Sequence, residues 1–562
     1  MVSNGWVARM RGRDVFMSSL EAHGVERIFG NPGTTESPLL DSLAAHPSIR
    51  YVTALHEGVA LGAASFYAQA SGKTGVVSLH VAPGLGNATG MLFCALRSCS
   101  PMVVTAGQQD TRMRLTDPVL GHDLVAMAAP VTKWSVQVER ADEIGPILRR
   151  AFKIANEAPR GPVFVGLPID VMEQETTVAA STAGTLYNRP KADPAAIRQM
   201  AEVLAAARAP VIVCGDDPAT SDAVPALVRV AEALGASVWF DGVLRAQQSF
   251  PTAHASARLA LGQDTASTRK LLGDVDVVLL VGGPFFEDVW FTPGSPFPAN
   301  AKVLQLEESA QRLAYNHRVD VGAVGDLRDA LATLAETLGR DAALASLAAT
   351  RNQGLRDLKA REIEAQKSRA EKAWDRTPIS MPRVMAEIRD ALPARTVVVD
   401  ETITATIDLG RTIDFAGPGD YFSGRGGGIG QGLAGAIGVQ VAMPDRPVVC
   451  ISGDGSAMYS IQALWTAAHV GLPIVFVILA NREYRVLKHN IDVYRQRFGI
   501  ASQEPYAHMD LSTPHLGFLE LAAGMGVTAT RVDKADAIRP AIEAAFRSGR
   551  PRVVEIAIEA KR

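Results

Sequence analysis

Short β-branched runs alternate with amphipathic or Ala/Gly-rich stretches along the whole chain. That alternation predicts parallel sheets joined by crossover helices. In a first block, Arg27-Ile-Phe, Tyr51-Val-Thr-Ala-Leu, Gly75-Val-Val-Ser-Leu, Met102-Val-Val-Thr-Ala and Val163-Phe-Val-Gly-Leu read as strands. Helices are expected between them at 57–70 and 141–158. The block closes at Ser181-Thr-Ala-Gly and Asn188-Arg-Pro, turn-forming residues that read as a linker. A second block places strands at Val211-Ile-Val-Cys-Gly, Ser237-Val-Trp-Phe, Val277-Val-Leu-Leu-Val-Gly-Gly and Lys302-Val-Leu-Gln-Leu. A third places them at Thr396-Val-Val-Val-Asp, Val448-Val-Cys-Ile-Ser, Ile474-Val-Phe-Val-Ile-Leu and Arg552-Val-Val-Glu-Ile. Between these two, residues 351–374 mix Arg, Lys and Glu, with Asp357/Arg361 and Lys367/Glu371 at helical spacing. An exposed helix is expected there. The fold class is therefore α/β, with three doubly wound parallel-sheet domains expected at residues 1–182, 190–345 and 375–562.

Length agrees with this division, since 562 residues suggest about three or four domains. A hydrophobic share of 47% with 20% charged residues excludes a mainly disordered chain. The formal net charge of -3 gives no whole-chain case for nucleic acid or acidic membranes. Apolar stretches such as 472–480 are too short to cross a bilayer. Arg9, Arg11 and Arg13 lead into Asp14 rather than a signal-peptide core, so a cytoplasmic location is expected. Cys94, Cys99, Cys214 and Cys450 read as free thiols in a reducing compartment.

The strongest local signal is Val448-Val-Cys-Ile-Ser-Gly-Asp-Gly-Ser-Ala, a buried strand running into a helix. Gly453 and Gly455 allow a tight turn and a close ligand, and Ser456 is expected to cap the helix toward an anion. Asp454 and Asn481 both follow strong strands, at the ends where open α/β sheets bind ligands. A carboxylate, an amide oxygen and phosphate oxygens make a hard oxygen shell that suits Mg2+.

Gly453-Asp454-Gly455 with Asn481 resembles the thiamine-diphosphate (ThDP) motif, although Ala480 stands where the motif usually has a first Asn. The resemblance continues through Phe29-Gly-Asn-Pro-Gly-Thr-Thr-Glu36, Ala54-Leu-His-Glu57, Leu79-His80-Val-Ala-Pro-Gly-Leu-Gly-Asn87 and Thr105-Ala-Gly-Gln-Gln109. These segments are similar to the pyruvate decarboxylase and acetolactate synthase superfamily, and most of all to benzoylformate decarboxylase. The resemblance implies the order pyrimidine-binding, central and diphosphate-binding domain, with ThDP and Mg2+ as cofactors. It implies metal ligation by Asp454, Asn481 and the backbone oxygen of Glu483. Glu57 would hydrogen-bond the cofactor's aminopyrimidine, and Gly427 would offer that ring a backbone oxygen. Ile429 would support the bent cofactor, while Thr402, Thr404, Ser456 and Tyr459 would contact the diphosphate. Thr34 stands where a serine holds the substrate carboxylate, and His80 matches a proton-transfer histidine. The family pairs Glu57 of one subunit with Asp454 of another, so at least a homodimer is implied, and a homotetramer is common.

Departures fall on the substrate side. Val289 replaces a second catalytic histidine, Ile403 replaces a hydroxyl, and Lys488, His489 and Asn490 stand where the family has an apolar lid. His122 lies in a loop that could reach the site. The leading reading is non-oxidative decarboxylation of a 2-oxo acid to an aldehyde. Carboligation, lysis of a 2-hydroxyacyl thioester, and an inactive ThDP-fold binding subunit stay open. Gly430-x-Gly432-x-x-Gly435 also matches a dinucleotide fingerprint, a weak signal without a preceding strand.

Overall fold

The computed structural model describes residues 9–242, 245–262 and 264–559. Each of the long β-branched runs is a strand in it, such as Pro162–Pro168 and Val448–Gly453. Their residues are buried on both faces, as strands covered by helices on either side must be. Three six-stranded sheets result, parallel throughout.

Five further strands of these three sheets were not legible in the pattern: Ser135–Gln137, Ala257–Ala260, Val321–Val324, Tyr421–Ser423 and Thr528–Val532. Every one lies at a sheet edge. An edge strand has one neighbour and is commonly short and partly wet, so it carries no long apolar run.

Numbering the strands of each sheet from one to six along the chain, the first and third sheets share the order 2-1-3-4-6-5. The central sheet has the order 3-2-1-4-5-6. Ligand crevices open at the carboxyl ends of strands where such an order reverses. In the outer sheets that is between strands one and three, and in the central sheet between strands one and four.

Two helices of small residues tie the outer domains together, Glu57–Ser71 and Gln431–Ala442. Gly438 lies so close to the Ala63 carbonyl oxygen that a methyl group would collide with it. Only glycine permits this approach, and the helix pair forms one apolar core with both sheets. The expected helix at 141–158 is a short 3-10 turn leading into Ile144–Asn156, which buries Ile144, Leu148, Ala151, Phe152 and Ala155 on one face.

Residues 177–193 have no regular secondary structure. The exposed helix expected at 351–374 is longer, Ala342–Lys372, and residue 345 falls inside it. The expected pairs Asp357/Arg361 and Lys367/Glu371 are not formed among the described residues. Asp357 instead accepts from Gln353 Nε2 at 2.9 Å. The helix is held by longer-range contacts, Arg351 to the Ala207 carbonyl at 2.6 Å and Arg369 to Asp408 at 3.3 Å. Among the described residues no helix is long and apolar enough to cross a membrane. The four cysteines are free, with Cys94, Cys214 and Cys450 buried.

Candidate active site

In the first sheet, strand one (Arg27–Gly30) runs out into Asn31-Pro-Gly33, and strand three (Gly75–Leu79) runs into His80. His80 is thereby set at the mouth of the crevice, heading the helix Val81–Arg97. Its Nδ1 lies 2.8 Å from Glu36 Oε2 and 3.3 Å from Thr35 Oγ1. Glu36 is buried and accepts from Gly107 N at 3.0 Å and from Thr35 Oγ1 at 2.8 Å. The imidazole packs directly on Gly33, where a side chain would overlap the ring. Val81 follows His80 at φ 41°, a left-handed conformation costly for a β-branched residue. Such strain, of order 1–3 kcal/mol, persists where surrounding structure holds it, often at working sites.

Glu57 opens its helix as expected. His56 caps that helix by accepting from Gly58 N at 3.0 Å. The Glu57 side chain is buried and held by Asn87 Nδ2 at 3.0 Å and Asn31 Nδ2 at 3.4 Å. Thr34 is exposed at the start of the same turn, and it is its neighbour Thr35 whose hydroxyl reaches His80.

In the third sheet, strand one (Val397–Glu401) ends on Glu401 and strand three (Val448–Gly453) ends before Asp454. Glu401 Oε1 accepts from Gly430 N and Gln431 N, both at 2.7 Å, and so caps Gln431–Ala442. Burial pushes its carboxyl up to about 7. Thr402 is buried, with its N donating to Asp400 Oδ1 at 2.8 Å, whereas Thr404 is exposed and Ile403 between them has φ 55°.

Asp454 Oδ2 accepts from Arg482 N at 2.6 Å and its Oδ1 from Gly455 N at 2.8 Å. The first bond draws the Asn481–Glu483 turn, with Arg482 at φ 58°, against Asp454. Burial pushes the Asp454 carboxyl up to about 6. Asn481 Oδ1 accepts from Glu483 N at 3.0 Å. The structure thus brings Asp454, Asn481 and Glu483 together, and the ring of Tyr484 lies against Gly455. The expectation that Ser456 caps this helix is corrected. The turn begins three residues sooner, with Gly453 as cap, and Ser456 is inside it. Gly427 and Tyr459 are exposed and Ile429 is half-buried, so this face is open to a ligand or a second subunit.

The remaining substrate-side residues divide. Lys488 is paired with Glu483, whereas His489 and Val289 are exposed. His122 is exposed, its carbonyl accepting from Gln108 Nε2 at 2.7 Å. The Gly430/Gly432/Gly435 run is absorbed by packing, since Gly432 lies against Glu401 and Gly435 against Phe66.

Known proteins show the same plan. Three family descriptions match the chain in order: thiamine pyrophosphate enzyme, N-terminal TPP binding domain, at residues 10–127; its central domain at 197–334; and its C-terminal TPP binding domain at 404–556. The chain is 32% identical to benzoylformate decarboxylase of Pseudomonas aeruginosa, over 96% of this chain and 97% of that protein. The chain belongs to the thiamine pyrophosphate enzyme family.

Other members are more distant. Acetolactate synthase isozyme 3 large subunit of Escherichia coli is 28% identical over 91% of each chain. A thiamine diphosphate-dependent 4-hydroxybenzoylformate decarboxylase of Rhodococcus jostii RHA1 superposes with a TM-score of 0.84 at 28% identity, over 98% of this chain and all of that one. As a member of this family, the protein is an enzyme of the decarboxylase and carboligase group. The oxygen-only donor set of Asp454, Asn481 and the Glu483 backbone fits a hard divalent cation beside a diphosphate.

Glu36, Thr35, Asn31 and Asn87 emerge as site residues only in three dimensions. A signal existed, since Glu36 follows the Gly-Asn-Pro-Gly turn of a buried strand, where a carboxylate has no packing role.

Proposed function

We propose that this enzyme converts a 2-oxo acid to an aldehyde and CO2, using ThDP and Mg2+. The observation that supports it most is the His80–Glu36 pair at the mouth of the crevice, a proton carrier with a fixed orientation. Bound ThDP supplies an electron sink for the substrate's carbonyl carbon. Asp454, Asn481 and the Glu483 backbone hold the metal. Thr402, Thr404, Ser456 and Tyr459, with the Gly453–Gly455 turn, receive the diphosphate. Gly427 and Ile429 would lie toward the cofactor's rings, and Glu57 would hydrogen-bond its aminopyrimidine.

Against a carboxylate, Nδ1 of His80 carries a proton, which leaves Nε2 to pass one to or from substrate. Thr34 is free to bind the substrate carboxylate. A Lys488, His489 and Asn490 edge would favour a smaller or more polar acid than benzoylformate. The two halves of the site, Glu57 and Asp454, meet across a homodimer, within a tetramer, in the cytoplasm. A carboligase reading draws its support from the acetolactate synthase relatives.

A panel of 2-oxo acids with ThDP and Mg2+, scored for CO2 and aldehyde, tests both. Aldehyde equal to CO2 is the expected result. CO2 with a hydroxyketone favours the ligase, and no CO2 from any acid overturns both. Glu57→Gln should abolish turnover and leave the fold intact.

A further inference from the structure

The central sheet should offer its ligand crevice between the carboxyl ends of strands one and four. Those ends are Gly215-Asp216-Asp217 and Gly282-Gly283-Pro284, after Pro210–Cys214 and Val277–Val281. The crevice is acidic, because Asp216, Asp241 and Glu287 converge there. A guanidinium from another domain enters its acidic part. Arg425 is among the largest buried side chains, with 2% exposure. Its Nε is paired with Asp216, and its Nη1 lies 3.0 Å from Glu287 and 3.4 Å from Asp241. The neighbouring acids Asp217 and Glu307 belong to Arg312, so they do not compete for Arg425. The Arg425 N–H donates to Ser98 Oγ of the first domain at 3.2 Å. One residue of the third domain thus touches both of the others.

Its place in the chain gives this contact a purpose. Arg425 opens Gly426-Gly-Gly-Ile429, a run whose three glycines impose no shape of their own. The far end is pinned by Glu401 on Gly430 N and Gln431 N. Gln431 Nε2 donates back to the Arg425 carbonyl at 3.2 Å and to the Gly428 carbonyl at 2.7 Å. Gly427 and Gly428, between the two anchors, are exposed.

We propose that Arg425 is a positioning residue that locks the Gly426–Ile429 segment, and with it the cofactor-facing backbone, onto the central domain. The proposal rests on the functional reading above for the direction in which that segment faces. The acidic part of the central crevice then holds an internal cation, and the central sheet acts as the anchor of the cofactor loop. A planar guanidinium can engage several carboxylates at fixed angles, which a lysine ammonium does only in part.

The test uses full-length apo-protein and the variants Arg425→Ala, Arg425→Lys, Asp241→Asn and Glu287→Gln. ThDP is titrated at saturating Mg2+ by tryptophan fluorescence, and amide exchange of residues 426–429 is followed without cofactor. Arg425→Ala should raise the ThDP Kd at least tenfold and speed exchange in that segment, leaving the core of the 431–442 helix protected. Arg425→Lys should recover part of the loss, a graded rescue that general destabilisation would not give. Asp241→Asn and Glu287→Gln should each raise Kd a few-fold. A folded Arg425→Ala protein with Kd within twofold of wild type and unchanged exchange overturns the proposal. Should that variant not fold, wild-type affinity in both carboxylate variants overturns it. Wild type that binds no ThDP would instead overturn the functional reading, while the cofactor-free exchange still decides the role of Arg425.

Discussion

Glu36→Gln isolates one interaction at the site. The Glu36 side chain is 2% exposed and His80 24%, so the replacement keeps volume and burial while removing a charge. The glutamine carbonyl oxygen can still accept from Gly107 N, now 3.0 Å from Oε1. Its NH2 then faces His80 Nδ1, where a carboxylate oxygen stood at 2.8 Å. The imidazole must accept there instead of donating, which moves its proton to Nε2 and reverses its role. A hydrogen bond to a charged group is worth about 1.5–3 kcal/mol. That corresponds to a loss of roughly 10- to 150-fold in kcat/KM. The assay is aldehyde release from the best 2-oxo acid, coupled to an alcohol dehydrogenase, beside a ThDP titration that should match wild type. Because Glu36 acts through His80, its replacement in a His80→Ala background should remove no more than about threefold further. Wild-type kcat/KM in Glu36→Gln, or the full loss repeated in that background, would refute the reasoning.

Other outcomes follow from the same structure. Burial pushes Glu401 up to about 7 from an ordinary 4.5, so its stabilising share is complete below about pH 4.5 and is lost as pH rises through 7. Glu401→Gln keeps both backbone acceptor bonds, and its melting temperature should gain on wild type between pH 5 and 8, a span worth roughly 3 kcal/mol; a constant gap contradicts this. Gly438→Val should force the two small-residue helices apart and cost about 1–3 kcal/mol or more of stability, read as a lower urea midpoint, and an unchanged midpoint would deny their close contact. EDTA treatment should abolish ThDP binding, with Mg2+ restoring it in wild type but not in Asp454→Asn. Binding that survives chelation removes the metal from the scheme.

The interior strands were legible because both of their faces are buried, which leaves continuous β-branched runs. Edge strands such as Thr528–Val532, mostly exposed, left no such trace. Asp454 and Asn481 could be found as polar residues ending apolar strands. Glu36 and His80 are 44 positions apart, and only the neighbouring of strands one and three brings them together. Arg425 stands in a glycine run, where local pattern gives no sign of its burial. Its acidic partners lie 138 to 209 positions away, in a domain with no periodic tie to it. Ser456 looked like a helix cap because local pattern cannot place a turn's first residue once two glycines flank an aspartate.

The shared order of the first and third sheets describes one unit used twice. One copy carries the His80–Glu36 pair at its crevice, and the other sets Asp454 against the Asn481–Glu483 turn. If the proposed site needs one copy of each, met across a twofold axis, it is counted in pairs. In that proposed dimer two chains would make two sites, and neither would belong to one chain. A mixed dimer of a Glu57→Gln chain and an Asp454→Asn chain therefore gathers both lesions into one site and leaves the other whole. Two dead proteins, mixed and reassembled, should regain activity, each mixed dimer giving up to half that of a wild-type dimer.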